Sequence, residues 1–438
     1  MVASPRLAGH HAGHCSPVPG SEHQTLPLAI LYGANGSGKS NLVKAIQFAA
    51  QLILAGTGPR EKIPRQPFLL DRETQAKPSG FEFRILADGR VFSYGFTLTE
   101  TEIATEWLSV LAGEQEEPLF ERQTDPGGTA LIEIGAALKN PEAGAEKIIA
   151  LAEVGVRRNQ LFLAGIRESV DAANFGGLIR PAAQWFEQQL VIVFPETRFA
   201  GLADLLAKNP AFSEFAGKFL SEASTGVRQL KVETVEAQID GGAGFPSSLL
   251  SNLIERTATG GTVAFQAQGG KEVLLEKGEG SQVRLRTIQA EHATGGGDQI
   301  ALPFEEESDG TRRLTHLLPA LFHLQNQPKV YVIDELDRSL HPLLSKKFLE
   351  FFLWSCNRHP SQLILTTHES NLLDLDLLRR DEIWFAEKGA EGSTSLYSLS
   401  DFQVRQDLKI QKGYLQGRFG AIPFLGNLEQ LFREAGGG

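Results

Sequence analysis

Gly33-Ala-Asn-Gly-Ser-Gly-Lys39-Ser40 carries the spacing G-x-x-x-x-G-K-[ST], directly after an apolar run and ahead of a helical pattern. Glycines at 33, 36 and 38 let the backbone amides curl into a concave nest for phosphate, and the following helix N-terminus adds its positive end. Lys39 is placed to reach the β and γ phosphates, and the Ser40 hydroxyl to ligate Mg²⁺. Asn35, Ser37 and Asn41 complete the expected nucleotide-binding set. A second apolar run, Lys329-Val-Tyr-Val-Ile-Asp334-Glu335, ends in two carboxylates. Asp334 is expected to hold Mg²⁺ through water, and Glu335 to polarise the attacking water as general base. A carboxylate pair at a strand end also fits a helix start; the Gly-rich loop is what favours the chemical reading.

The elements that must position these residues are visible as pattern. Leu26–Gly33 reads as a buried strand, and Asn41–Ala55 has the i, i+3, i+4 spacing of a helix. Phe81–Thr99 alternates around an Asp88–Gly89 turn, a hairpin signal, and further strands are expected at Ile103–Leu108 and Leu119–Arg122. Helical patterns dominate from Leu131 to Glu222, with Asn209–Pro210 as an N-cap and first-turn pair. Short β-like segments return from Val227 to Leu302, and helix, strand, helix and strand then alternate. That order implies right-handed parallel crossovers. Because Lys39 and Asp334 lie far apart, the intervening segments read as insertions into one core. The expectation is an α/β P-loop head with a mixed sheet, an antiparallel β lobe and an inserted helical lobe. Residues 1–26 are assigned as a loop or tail, 27–125 as the first half of the head with its β lobe, and 126–226 as the helical insertion. Residues 227–303 are assigned as a continuation of the β lobe, and 304–438 as the second half of the head.

Composition bounds the class. The 53 acidic against 42 basic residues leave a formal charge of −11, which argues against broad coating of nucleic acid. Hydrophobic content of 42% and charged content of 22% are those of a globular chain. Two cysteines exclude a disulfide scaffold and fit a reducing cytoplasm. No apolar run reaches the ~20 residues of a membrane-spanning helix.

Three further stretches resemble known ATPase parts. Glu307-Ser308-Asp309-Gly310-Thr311-Arg312-Arg313 resembles the signature segment of ABC-type ATPases, which implies that Ser308, Gly310 and Arg312 meet the γ-phosphate held by an opposite subunit. The same residues also fit a plain helix cap. His368 resembles a switch histidine that senses γ-phosphate, and Ser339-Leu-His-Pro342 occupies the place of a D-loop. Together with PFLLD, FEFRI, YGFTL, LFER, TTHESNLLD, LLRRDEIWFAEK and YLQGRFGAIPFLG, these stretches are similar to bacterial AAA-type ATPases of the abortive-infection, RloA- and OLD-like group, relatives of SMC and RecF heads. The resemblance implies ATP and Mg²⁺, a homodimer closing around ATP, and a role in anti-phage defence through a separately encoded effector, a nuclease or toxin. It also implies a strand ahead of Met1, so Met1 is expected to be an internal methionine of a longer reading frame or the sheet edge to be missing. No nuclease centre is expected in the 438 residues, since Asp374-Leu-Asp376 reads as a loop or helix start.

The alternative reading is a RecF-like repair ATPase that binds DNA directly. It needs a basic surface, for which Arg157, Arg158, Arg379, Arg380, Arg405, Lys409, Lys412 and Arg418 are the candidates, whereas solvated faces or carboxylate partners are the commoner role. Arg312 and Arg313 are better placed to reach phosphate, and Arg338 to orient the D-loop. His10, His11, His14, Cys15 and His23 lack the spacing of a closed zinc module and read as a mobile polar loop.

Overall fold

Five consecutive buried residues, Leu28–Tyr32, form the strand that ends at the Gly33 loop, as expected for an apolar run covered on both faces. In the computed structural model of the chain this strand lies inside a six-stranded sheet. The order across it is Thr394–Ser398, Ile383–Lys388, Leu28–Tyr32, Gln362–Thr366, Val330–Ile333, Leu190–Val193. The last five are parallel, and Thr394–Ser398 returns antiparallel at one edge. Leu365 sits opposite Ile30 on one side and Ile333 on the other, so the ends of these three strands are level. The structure describes residues 1–7, 9–112, 115–140, 145–170, 176–199, 201–238, 261–266, 272–277, 282–324, 327–356, 361–403 and 409–422. Arg405 and the end of the Tyr414–Gly426 stretch lie outside them.

The chain divides into two compact units. The first comprises Met1–Val193, Pro328–Leu336 and Pro360–Gly438, and holds the whole six-stranded sheet. It also holds an antiparallel meander of Ser79–Ala87, Arg90–Leu98, Ile103–Ala112, Gln115–Thr124 and Ala130–Ile134. The hairpin legible at Asp88–Gly89 is present, with both residues at positive φ (50° and 70°), the geometry whose twist matches paired strands. Phe92, Tyr94, Phe96 and Phe120 of the meander pack with Ala49, Leu52 and Ile53 of the helix Lys39–Ala55 and with Phe162 and Phe186, all buried. Glu106 ties this core together. Its buried carboxylate accepts from the Tyr94 hydroxyl (2.9 Å) and from the amides of Phe162 (2.5 Å) and Leu163 (3.0 Å), which open the helix Phe162–Ser169.

The second unit comprises Phe194–Gln327 and Asp337–His359. Its long strand pair Val227–Gln238 and Gln282–Ala293 belongs to a separate five-stranded antiparallel sheet. The expectation that 227–303 continues the first β lobe is therefore corrected: among the described residues these strands pair with one another in a sheet of their own. Alternation identifies a strand but not its distant partner. The helices Pro210–Glu222, Asp309–Leu324 and Pro342–Cys356 carry a shared aromatic cluster, including Phe212, Phe215, Phe322 and Phe351. Asn209 caps the first of these helices through Phe212 N (3.0 Å), as its sequence suggests.

Two more expectations change. The helical insertion 126–226 contains Leu190–Val193, an edge strand of the six-stranded sheet, which pairs in parallel with Val330–Ile333. Four apolar residues are too few for a period to show. The histidine-rich start is anchored rather than mobile. His14 meets the buried Glu382 carboxylate at 2.9 Å, His11 Nε2 meets Leu375 O at 2.8 Å, and Arg379 binds the carbonyls of Leu7 and His10.

Candidate functional site

The Gly33–Ser40 loop turns through two left-handed glycines, Gly36 (φ 77°) and Gly38 (φ 99°), before the helix Lys39–Ala55 begins. Only glycine adopts this backbone without strain. The amides of Lys39 and Ser40 lie in the first helical turn, where no internal acceptor exists. A Cβ on Gly33 would stand 2.5 Å from both Ser37 Oγ and the Ala386 carbonyl, so the loop closes tightly against the neighbouring strand. The Ser37 hydroxyl is buried with no hydrogen-bond partner among the described residues. An orphaned donor inside a ring of amides suits an anion. Lys39 is buried at 5% exposure and its ammonium donates to Gly33 O (2.8 Å) and Ala34 O (3.2 Å), which holds the charge within the loop. Asn35 and Gly36 are exposed at the loop's tip, and Asn41 is exposed on the first helical turn.

The acidic strand ends at the same side of the sheet. One strand is interposed, so neighbouring spacings of ~4.8 Å put the carboxylates about 10 Å from the loop strand, room for a phosphate chain and a water. Asp334 is buried, and its amide extends the pairing to Val193 O (2.8 Å). Glu335 follows at φ 49°, a left-handed conformation rare for a non-glycine residue. Strain of this kind collects at functional positions. The interposed strand supplies the residue that organises both acids: Thr366 Oγ1 donates to Asp334 Oδ1 at 2.6 Å and accepts from Glu335 N at 2.8 Å. His368 is exposed two residues further on. The structure thus brings Lys39, Ser40, Asp334, Glu335 and His368 to the ends of adjacent strands in one unit. A serine hydroxyl with a carboxylate is a hard oxygen set, which fits Mg²⁺ completed by phosphate and water.

Ser308, Gly310 and Arg312 lie in the second unit. Ser308 caps the helix Asp309–Leu324, accepting from Thr311 N at 3.1 Å. A Cβ on Gly310 would stand 2.6 Å from the Ser339 carbonyl, so glycine lets Ser339, itself at φ 62°, approach the helix start. Arg312 pairs with Asp309 on its own helix. Arg313 is buried and donates to Phe194 O (3.0 Å), which makes it a framework residue rather than one that reaches outward. Arg338 is held by Glu196 (2.6 Å), giving Glu196 the role its sequence did not show; the guanidinium keeps that carboxyl below its usual pKa.

Three of the basic residues proposed from sequence are engaged within the fold, whereas Lys409, Lys412 and Arg418 are exposed. Arg379 is fully buried in a two-pronged pair with Asp381 (2.9 and 2.8 Å). Arg157 binds Thr57 O and Glu168, and Arg158 binds Thr101 O and Glu102. Spacing alone cannot distinguish a surface arginine from one buried on a carboxylate.

The model of the family described as "AAA domain, putative AbiEii toxin, Type IV TA system" matches residues 28–131 and 218–374, more than half of the chain. The chain belongs to this family. Both motif strands of the AAA domain and the Ser308–Arg312 segment fall within the matched residues. Among solved structures, the chain is similar to an SMC head bound to the C-terminal winged-helix domain of ScpA (14% identity, 85% of this chain and 90% of that chain, TM-score 0.39). It is also similar to the SMC head domain from Thermotoga maritima (14%, 89% and 97%, TM-score 0.32). A third is the Smc head domain with an extended coiled coil bound to the C-terminal domain of ScpA derived from Pyrococcus furiosus (14%, 92% and 96%, TM-score 0.34). No curated protein matches the sequence. The fold of this AAA domain is the α/β P-loop ATPase head read from sequence, and the family implies nucleotide hydrolysis with Mg²⁺. Among the described residues no helix is long and apolar enough to cross a membrane.

Two residues escaped sequence reasoning. Thr366 could have been suspected as a hydroxyl closing an otherwise apolar strand that faces Asp334. Thr394 gave no signal: its Oγ1 donates to Ser37 O at 2.8 Å and its side chain fills the space beside Gly38, bracing the loop from the edge strand.

Proposed function

We propose that the chain is an ATP hydrolase in which two copies close around ATP, and that this cycle switches a separately encoded effector, a nuclease or toxin, in anti-phage defence. The observation that carries the hydrolase reading is the Thr366 hydroxyl joining Asp334 to the Glu335 amide at the end of the sheet that bears the Gly33–Ser40 loop. Lys39 and the loop amides hold the β and γ phosphates; Ser40 and Asp334 would hold Mg²⁺, which neutralises charge developing on the phosphoryl oxygens. Glu335 accepts the proton of the attacking water, and His368 contacts the γ-phosphate. Ser308, Gly310 and Arg312 of the second copy complete the site.

The description of the family, which names a putative AbiEii toxin and a type IV TA system, supports a toxin–antitoxin context. Direct DNA loading draws no support from Arg379, Arg157 or Arg158, which are already paired. Glu335→Gln tests the reading. Turnover should fall by about 10²- to 10⁴-fold while ATP stays bound and a dimer accumulates in sizing with light scattering. Ordinary phosphate release from this variant would remove Glu335 as base, and a monomer with ATP bound would remove the closed dimer.

A further inference from the structure

Leu69 and Leu70 are 70% and 68% exposed, two adjacent large apolar side chains left in water. Their loop is nevertheless pinned. Asp71 accepts from Thr74 N (2.8 Å), the Gln75 side chain donates to Leu69 O (2.6 Å), and Arg65 donates to Gln75 O (2.6 Å). Leu70 Cδ1 lies 2.4 Å from where a Cβ on Gly392 would stand, so only glycine at this left-handed turn (φ 82°) admits the leucine. Two residues on, Thr394 braces Ser37 and Gly38 of the phosphate loop. Leu70, Gly392, Thr394 and Gly38 therefore form a continuous path within one unit.

The sheet order decides what covers the leucines. The loop strand Leu28–Tyr32 has the strands leading to His368 and Asp334 on one flank, and Ile383–Lys388 with Thr394–Ser398 on the other. The γ-phosphate must face the carboxylate flank, because water activation and Mg²⁺ binding reside there. A nucleotide lying along the loop then sends its nucleoside over the opposite flank, towards Leu69 and Leu70.

We infer that Leu69 and Leu70 form the ledge on which the apolar face of the nucleobase rests. The inference rests on the phosphate-loop reading above and adds the base subsite to it. The contact is one of area and shape, so it contributes to affinity for nucleotides and nothing to affinity for phosphate chains alone.

The test is calorimetry on the full chain with Mg²⁺, using ATP and inorganic tripolyphosphate as separate probes. In the Leu69→Ser/Leu70→Ser variant, ATP should bind about tenfold more weakly and tripolyphosphate with unchanged affinity; Leu70→Met alone should keep ATP affinity. Equal weakening for both probes, or no weakening for ATP, overturns the base ledge. Loss of self-association with ATP affinity intact also overturns it and assigns the leucines to a second copy. If the unaltered chain binds neither probe, the phosphate-loop reading fails and the ledge falls with it; if it binds both, only the ledge is at stake.

Discussion

The Thr366 hydroxyl lies 2.6 Å from Asp334 Oδ1 and, as an acceptor, 2.8 Å from the Glu335 amide. One oxygen atom thus orients the expected metal ligand and fixes the peptide that aims the expected base. Because Asp334 and Thr366 are both buried, neither lost bond can be replaced by bulk water.

Thr366→Val keeps the shape and removes the oxygen. Phosphate-release kinetics should show kcat reduced by about 10- to 100-fold and chemical denaturation a loss of about 1–3 kcal/mol. Thr366→Ser should restore most of both. A valine variant with unaltered kcat would show that the bridge is structural alone.

Gly310→Ala places a methyl group 2.6 Å from the Ser339 carbonyl. Backbone, not a pliable side chain, must move, at a cost of about 1–3 kcal/mol. ATP turnover should drop while affinity for ATP at the Gly33–Ser40 loop of an isolated copy stays the same, measured by calorimetry at low protein concentration.

Glu106→Ala leaves the Phe162 and Leu163 amides and the Tyr94 hydroxyl without their shared acceptor. Burial raises the pKa of this carboxyl, opposed by Arg122 and by those hydrogen bonds. Denaturant unfolding should show a loss of about 3 kcal/mol or more, against about 1 kcal/mol for Tyr94→Phe. Equal small losses would mean that the helix Phe162–Ser169 does not depend on this cap.

His316 Nδ1 accepts the Phe199 amide at 3.2 Å, and burial, with Arg198, Arg313 and Arg312 nearby, pushes its pKa down to about 3. The folded pKa lies below the unfolded value of ~6.5, so the unfolded chain binds the extra proton. Stability is complete above pH 6.5 and declines as pH falls towards 3. Between pH 7.5 and 5.5 the loss should reach up to about 1.3 kcal/mol, read as a shift in urea midpoint. His316→Asn, which cannot titrate, should flatten that part of the profile; an unchanged slope would assign the decline to other groups.

The chemistry expected of this chain rests on local motifs, and so the sequence alone shows them. The Gly33–Ser40 loop needs eight consecutive residues: its glycines and helix start act through their backbone and its lysine through its ammonium. Asp334–Glu335 follows its apolar strand directly, and the Asp88–Gly89 hairpin is encoded in two residues at positive φ. What depends on distant partners was decided only by tertiary structure. The pairing of Leu190–Val193 with Val330–Ile333, the pairing of Val227–Gln238 with Gln282–Ala293, and the anchoring of His14 on Glu382 each join residues far apart in the chain. Arg379 has the composition of a surface cation and the environment of a buried one. Thr366 gains its role only because parallel pairing sets its strand beside Asp334. Periodicity reports which face of an element is apolar; the neighbour against which that face is buried is a property of the folded chain.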